Sequence, residues 1–167
     1  MATLRVQALD KAHDVAGFDC GNPDLNQWFR TTARQHQKNG TSRTFVLVEG
    51  EHPEIILGFF TMAIRDVTLK EDLPASMAKK LPARVPGYTL ARLAVSVSAQ
   101  KRGLGEYLLF EAMERSYRAA KLVGGFALFV DAKEGAADFY KRYGFVPFPD
   151  DPDTLVIPIA SMPAFPD

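Results

Sequence analysis

Cysteine is nearly absent: Cys20 stands alone among 167 residues. No internal disulfide can form, and a reducing compartment fits that count. The three histidines (His13, His36, His52) are scattered, and neither CxxC nor HExxH spacing occurs. A metal site therefore has no ligand set to stand on. Neither sign of charge is in excess, since 20 basic residues face 20 acidic ones. That excludes a global electrostatic footprint for nucleic acid, though not a local basic patch. The longest nearly apolar run, Ile55 to Ile64, is far short of a membrane span. The first residues carry Arg5, Asp10, Lys11 and Asp14 and lack the apolar core of a signal peptide. Repeats and low-complexity tracts are also missing. The expectation is a soluble cytoplasmic protein with no membrane contact, and one domain over residues 1–167.

What is there is ordinary globular material, 47% hydrophobic and 24% charged. Leu4 to Leu9 alternates partly, like a first strand. Asn22-Pro23 reads as a helix start, with Asn22 as N-cap and Pro23 at N1. The spacing predicts a helix from Asp24 towards Lys38, stopped by Gly40, with Leu25, Trp28, Phe29 and Thr32 on its inner face. Thr44 to Glu49 and Glu54 to Ile64 are β-rich runs about the turn Gly50-Glu51-His52-Pro53, an antiparallel hairpin. Lys70 to Pro86, with three prolines, reads as a loop holding a short helix around Ala75 to Lys80.

Tyr88 to Val95 is a further strand and Ser96 to Gly105 a loop. Glu106 to Leu122 is the clearest helix, with Leu108, Leu109, Ala112, Met113, Ser116 and Ala120 on one face. Glu111/Arg115 and Glu114/Arg118 pair on the other. Phe126 to Val130 is continuously apolar, as in a central strand covered on both faces. Glu134 to Tyr143 is a short helix that Gly144 caps. Phe145 to Phe148 and Leu155 to Ile159 form a closing pair of strands across an Asp/Pro turn. The fold class is α+β: a mixed, mostly antiparallel sheet with a central β–α–β crossover and flanking helices.

Chemistry concentrates in Leu93 to Gly105. This stretch leaves a strand, passes Gly103 and Gly105, and enters a strong helix. Glycines there let backbone approach a ligand closely. Free amides and the helix dipole at that end make an anion site suited to pyrophosphate, with Lys101 and Arg102 adding charge. Taken alone, the same glycines can simply shape a tight turn. No GK[ST] follows, and Leu108 stands where GxGxxG needs its third glycine.

Gln100-x-x-Gly103-x-Gly105 resembles the Q/R-x-x-G-x-G/A signature of the GNAT acetyltransferases. The preceding Leu93-Ala94-Val95 strand and the later Ala136-x-x-Phe139-Tyr140-x-x-x-Gly144-Phe145 resemble that family too. The last of these is far more specific than GxG, and the element order agrees along the chain. The resemblance implies a GNAT fold and acetyl-CoA as the donor, with no metal. It implies that the backbone of Leu93, Ala94 and Val95 pairs with the pantetheine arm. It also implies that Gln100, Lys101, Arg102, Gly103, Leu104 and Gly105 wrap the pyrophosphate, and that Tyr140 protonates the departing thiolate. A thiol has a pKa of about 8.5 and a phenol of about 10, so the phenol suits that donor role. Without the resemblance, Ala136, Phe139 and Tyr140 read as a packing stripe. Two positions depart from many relatives. Ser96 stands where an acidic residue is common, and Asp131-Ala132 where an asparagine is common. Asp131 either contacts the cofactor or caps the following helix.

A narrower resemblance concerns the acceptor. Phe18-Asp19-Cys20-Gly21-Asn22, Leu25-Asn26-Gln27-Trp28, Ser42-Arg43-Thr44-Phe45-Val46 and Ala91-Arg92-Leu93-Ala94-Val95 are similar to the GNAT toxins of bacterial type II toxin–antitoxin modules. Those toxins acetylate the α-amine of aminoacyl-tRNA and block translation. The resemblance implies a ribbon-helix-helix antitoxin, a homodimer, and DNA contact only through an antitoxin complex. Arg30, Arg34, Lys38 and Arg43 outnumber Asp24 on their segment, as a phosphate-contacting face or as a solvated helix face. Arg92 precedes the cofactor strand, placed for an acceptor stem or for a structural salt bridge. No general base is evident in the motifs. An α-amine with a pKa of about 7.7–8.0 manages without a strong base better than a lysine amine of about 10.4. Other acceptors stay open: a small-molecule amine, or a protein N-terminus. Other classes are a silent CoA-binding module, against which the intact Tyr140 argues, and a DNA-binding repressor subunit. Cys20 has no evident histidine partner and reads as a small packed residue.

Overall fold

The computed structural model describes residues 3–166. Seven strands follow the order β1-β2-β3-β4-β5-β7-β6. They are β1 (Leu4–Ala8), β2 (Arg43–Glu49), β3 (Gly58–Ile64), β4 (Gly87–Val95), β5 (Ala127–Asp131), β6 (Val146–Phe148) and β7 (Asp151–Pro158). The pairs β1/β2, β2/β3, β5/β7 and β6/β7 are antiparallel, whereas β4/β5 is parallel. The sheet is therefore mixed and mostly antiparallel, and the long helix α4 (Leu104–Val123) supplies the crossover between its parallel strands. The remaining helices are α1 (Pro23–Thr31), α2 (Ala33–Lys38), α3 (Ala75–Ala78) and α5 (Ala137–Lys141).

The chain divides into two compact units. One comprises Met1–Ala63 and Ala91–Ala112, the other Ile64–Leu90 and Met113–Asp167. In the first, α1 lays Leu25 and Phe29 on Val46, Val48 and Phe59. Phe29 stacks on Phe59 with centroids 4.1 Å apart, and Phe18 meets both rings edge-on. In the second, Phe129, Ala127 and Val156 of the sheet pack with Leu73 and Val85. Gly87 is required there, because a Cβ would come within 2.5 Å of the Ala127 carbonyl oxygen.

Several element bounds differ from the sequence expectation, each for a local reason. The single helix expected from Asp24 to Lys38 is two, broken at Thr32. There Thr31 Oγ1 donates back to the Gln27 carbonyl and sits 3.1 Å from Thr32 Oγ1, a pattern that bends helices. The second hairpin strand starts at Gly58 rather than Glu54, because residues 50–57 are spent on turns closed by His52 N–H to Glu49 O and Ile55 N–H to His52 O. Helix α4 begins at Leu104, so Gly105 lies inside its first turn. Helix α5 begins at Ala137 rather than Glu134, after Gly135 takes φ +85°. Strand β7 starts at Asp151, earlier than Leu155.

Candidate active site

Two clusters, one in each unit, carry the expected residues. The first is the turn that ends β4. Pairing of β4 with β5 covers only Gly87 to Leu90. Ala91 to Val95, which include Leu93, Ala94 and Val95, therefore have no β5 partner. After Val95 a single 3₁₀ turn, Val97–Ala99, leads to Gln100. Lys101 and Gly103 then take φ of +65° and +74°. A Cβ at Gly103 would meet nothing within 4 Å, so the glycine serves conformation rather than space. Among the described residues, the amides of Gly103, Leu104, Gly105 and Glu106 donate to no carbonyl. Left-handed residues followed by a helix N-terminus with free amides form an anion-binding concavity. This arrangement fits the pyrophosphate of acetyl-CoA. Lys101 and Arg102 are exposed beside it, and Arg102 pairs with Glu49 at 3.3 Å. Gln100 is not aimed at a ligand through its Nε2, which donates to the Val95 and Cys20 carbonyls.

The second cluster surrounds Tyr140. Gly144, at φ +95°, gives its amide to Lys141 O, and Phe145 gives its amide to Tyr140 O. These two bonds are a Schellman motif, and its usual apolar contact is here the Tyr140–Phe145 ring pair, 5.6 Å between centroids. The motif thus has a mechanical meaning: Gly144 and Phe145 end the helix and fix the tyrosine ring. Phe139 closes on the same ring at 5.1 Å. Tyr140 is 7% exposed, and its hydroxyl has no protein partner. Burial pushes its pKa up to about 12. The phenol is therefore protonated at any physiological pH.

Asp131, at the end of β5, does not cap the following helix. The N-cap of α5 is Ala136, with no side-chain bond. The Asp131 carboxylate instead takes both guanidinium nitrogens of Arg65, at 2.9 and 3.3 Å, and the Thr154 hydroxyl at 3.0 Å. Arg65 lies 5.1 Å over the Phe129 ring. Neither Arg65 nor Thr154 carries a sequence signal for its bond to Asp131, which lies 66 and 23 positions away, although Thr154 also bonds its neighbour Asp151. Beside them a cavity of about 260 Å³ is walled by Arg65, Thr68, Asp72, Asp150 and Asp151, among others.

The cations of the acceptor side separate into kinds. The Arg30 guanidinium donates to Phe18 O, and that of Arg34 to the carbonyls of Asp10 and His13. Arg30 ties the loop before α1 to α1, and Arg34 ties it to α2. Lys38 is exposed, and Arg43 lies 5.9 Å from the Phe45 ring. Arg92 differs from all four. It is half-buried, 4.1 Å above the Trp28 ring, with one long bond of 3.4 Å to Ala91 O. It has no carboxylate partner among the described residues, which removes its salt-bridge reading. Burial lowers its pKa. In the sequence Trp28 stands out as an inner-face residue and as part of the toxin-like Leu25-Asn26-Gln27-Trp28 stretch, but not as the platform for Arg92. Among the described residues, no group of three or more His, Cys, Asp or Glu is placed to hold a metal ion. No helix among them is long and apolar enough to cross a membrane.

Residues 40–147 match the family described as the acetyltransferase (GNAT) domain. The chain belongs to the GNAT acetyltransferases. These enzymes take their acetyl group from acetyl-CoA. Among GNAT relatives, a tRNA-acetylating toxin of Mycobacterium tuberculosis is 34% identical over 150 residues, 89% of this chain and 88% of its own length. AtaT complexed with acetyl-methionyl-tRNAfMet superposes with a TM-score of 0.88 at 32% identity, covering 95% of this chain and 96% of that one. A tyrosine-to-phenylalanine mutant of the AtaT toxin, bound to the C-terminus of the antitoxin AtaR and acetyl-CoA, gives 0.78 at 29% identity, with coverage of 95% and 94%.

Proposed function

We propose that this GNAT enzyme acetylates the α-amine of aminoacyl-tRNA and so blocks translation, as a toxin held in check by an antitoxin. The observation that carries the acceptor is Arg92. A half-buried guanidinium on a tryptophan face, with no counter-charge, suits a phosphate that arrives with the substrate. The relatives that acetylate tRNA or bind acetyl-methionyl-tRNA support the same reading. Arg30, Arg34, Lys38 and Arg43 add positive potential on the segment that carries Trp28. Binding of AtaT to AtaR supports a proteinaceous antitoxin. In this reading the antitoxin is of the ribbon-helix-helix type, the enzyme is a cytoplasmic homodimer of single GNAT domains, and DNA is reached only through the antitoxin complex.

Bound acetyl-CoA supplies the thioester whose acetyl group is transferred. Leu93 to Val95 offer backbone groups that β5 does not use, and Gln100 to Gly105 hold the pyrophosphate through amides. Asp131 is itself held in place at the end of β5 by its bonds to Arg65 and Thr154. As the amine nitrogen bonds to the acetyl carbon and the C–S bond breaks, Tyr140 gives the proton on Oη to the departing sulfur, and the proton that the nitrogen loses on becoming an amide returns through solvent to the phenol. That timing follows from burial, which makes charge costly on phenolate and thiolate alike. The α-amine, with a pKa of about 7.7–8.0, is already partly neutral, so the chain needs no strong base.

A second reading has one observation in its favour. The cavity beside Arg65 carries Asp72, Asp150 and Asp151, a lining suited to a small cationic amine. Labelled acetyl-CoA offered to charged tRNA, uncharged tRNA and a panel of small amines separates the two. Label on charged tRNA alone is expected. Label on amines with none on tRNA replaces the toxin reading and leaves the acetyltransferase in place.

A further inference from the structure

The Phe18 to Asn26 stretch entered on the acceptor side, yet its hydrogen bonds run to the cofactor turn. Asp19 Oδ1 accepts from the Gly21 amide at 2.8 Å and from Asn26 Nδ2 at 2.9 Å. Asn26 is buried, and its Oδ1 accepts from the Cys20 amide at 2.9 Å. The amide of Cys20 can only donate and the carboxylate of Asp19 can only accept, so the orientation of the Asn26 side chain is fixed by its neighbours. The same Gly21 contact and the Asn26 bond hold the Asp19 carboxyl below its ordinary pKa.

This knot fixes two outward carbonyls. Asp19 O accepts the Val97 amide at 2.8 Å, and Cys20 O accepts Gln100 Nε2 at 3.4 Å. Gly21 takes φ +87°, and a Cβ there would lie 3.4 Å from Val97 Cγ1. The 3₁₀ turn that launches the cofactor loop is thus held at both ends by residues 19–21. Val97 is fixed through its backbone and Gln100 through its side chain. Gln100 also donates to Val95 O, which closes the bracket.

We propose that Asp19 and Asn26 are positioning residues for acetyl-CoA: their knot sets the pose of Val97 to Gln100 and hence of the amide cradle from Gly103 to Glu106. The inference rests on the acetyl-CoA reading of that cradle. It assigns part of the toxin-like N-terminal motif to donor affinity rather than to tRNA.

Calorimetric titration with CoA and steady-state kinetics on the full chain test it. Asn26→Ala is expected to weaken CoA binding about tenfold, the size of one or two lost hydrogen bonds, and to raise the KM for acetyl-CoA in step. The acceptor KM stays put and kcat changes little. Asp19→Asn, which keeps an acceptor oxygen, restores most of the affinity that Asp19→Ala loses. Combining Asn26→Ala with Gln100→Ala costs less than the sum of the single losses, because both break one bracket. A folded Asn26→Ala protein that binds CoA within about twofold of wild type overturns the proposal, as does full additivity with Gln100→Ala. If Asn26→Ala does not fold, the Asp19 pair decides: equal affinities in Asp19→Asn and Asp19→Ala overturn it. Wild-type protein that binds no CoA defeats the cradle reading itself, a result distinct from either.

Discussion

In the mechanism proposed above, the two motifs that mark this chain work by opposite means. The turn from Gln100 to Gly105 is exposed and acts through backbone: left-handed residues and free amides, with side chains turned elsewhere or paired. The Tyr140 cluster is buried and acts through one side chain, whose ring a Schellman motif locks and whose hydroxyl no protein group occupies. On that proposal, recognition of the donor is a matter of chain shape, and proton delivery a matter of one atom held dry. The first tolerates side-chain change but not a change of φ, while the second tolerates neither loss of the hydroxyl nor loss of burial.

The sharpest way to separate them is Tyr140→Phe. It keeps the ring and its contacts with Phe139 and Phe145, so CoA binding should hold within about twofold while kcat falls on the order of a hundredfold to ten-thousandfold. A fall in affinity instead would merge the two clusters into one. Next comes alkaline stability. Burial raises the Tyr140 pKa from 10.0 to about 12. A folded-state pKa above the unfolded value means stability that is complete below pH 10 and lost as pH climbs through 12, about 2–3 kcal/mol in all. Denaturation midpoints between pH 9 and 12 should show this decline, flattened in Tyr140→Phe. A residue of the slope will remain, because burial raises Tyr88 in the same direction.

Gly103→Ala probes the other side of the contrast. The new methyl meets open space, so the cost is the left-handed backbone alone. Titration should show acetyl-CoA binding about tenfold weaker, with kcat preserved at saturation. An unchanged affinity would say that side chains, not backbone, hold the donor. The smallest effect belongs to Arg92→Ala. Acceptor KM should rise several-fold, and the slope of log affinity for charged tRNA against log salt should shrink by about one. Arg92→Lys, which keeps charge but loses the flat stack on Trp28, should recover the salt slope without recovering full affinity.

The sheet, the crossover and both motifs were legible from sequence because each writes itself locally. Glycine marks the left-handed turn at 103 and the helix end at 144, and the apolar run from Phe126 to Val130 marks a central strand. What stayed hidden depends on residues distant in the chain. Arg65 meets Asp131 across 66 positions, and Asp19 and Cys20 meet Val97 and Gln100 across about 80. No periodicity announces such pairs. The break at Thr32 was missed for a different reason, since a threonine pair inside an amphipathic pattern bends a helix without altering its hydrophobic spacing. The helix-capping role considered for Asp131 failed because a nearby guanidinium outbid the helix.

The half of β4 beyond Leu90 has a further meaning. Ala91 to Val95 present strand backbone that β5 does not cover, and an uncovered strand edge invites pairing with another chain. In the proposed mode of binding, a pantetheine arm lying there would be, in effect, an eighth strand supplied by metabolism. Its occupancy then enters the folding equilibrium by mass action, so the endurance of the protein rises with the acetyl-CoA concentration around it. On that proposal the fuel of the reaction would double as a clasp on the sheet, and a starved cell would hold a looser enzyme than a well-fed one.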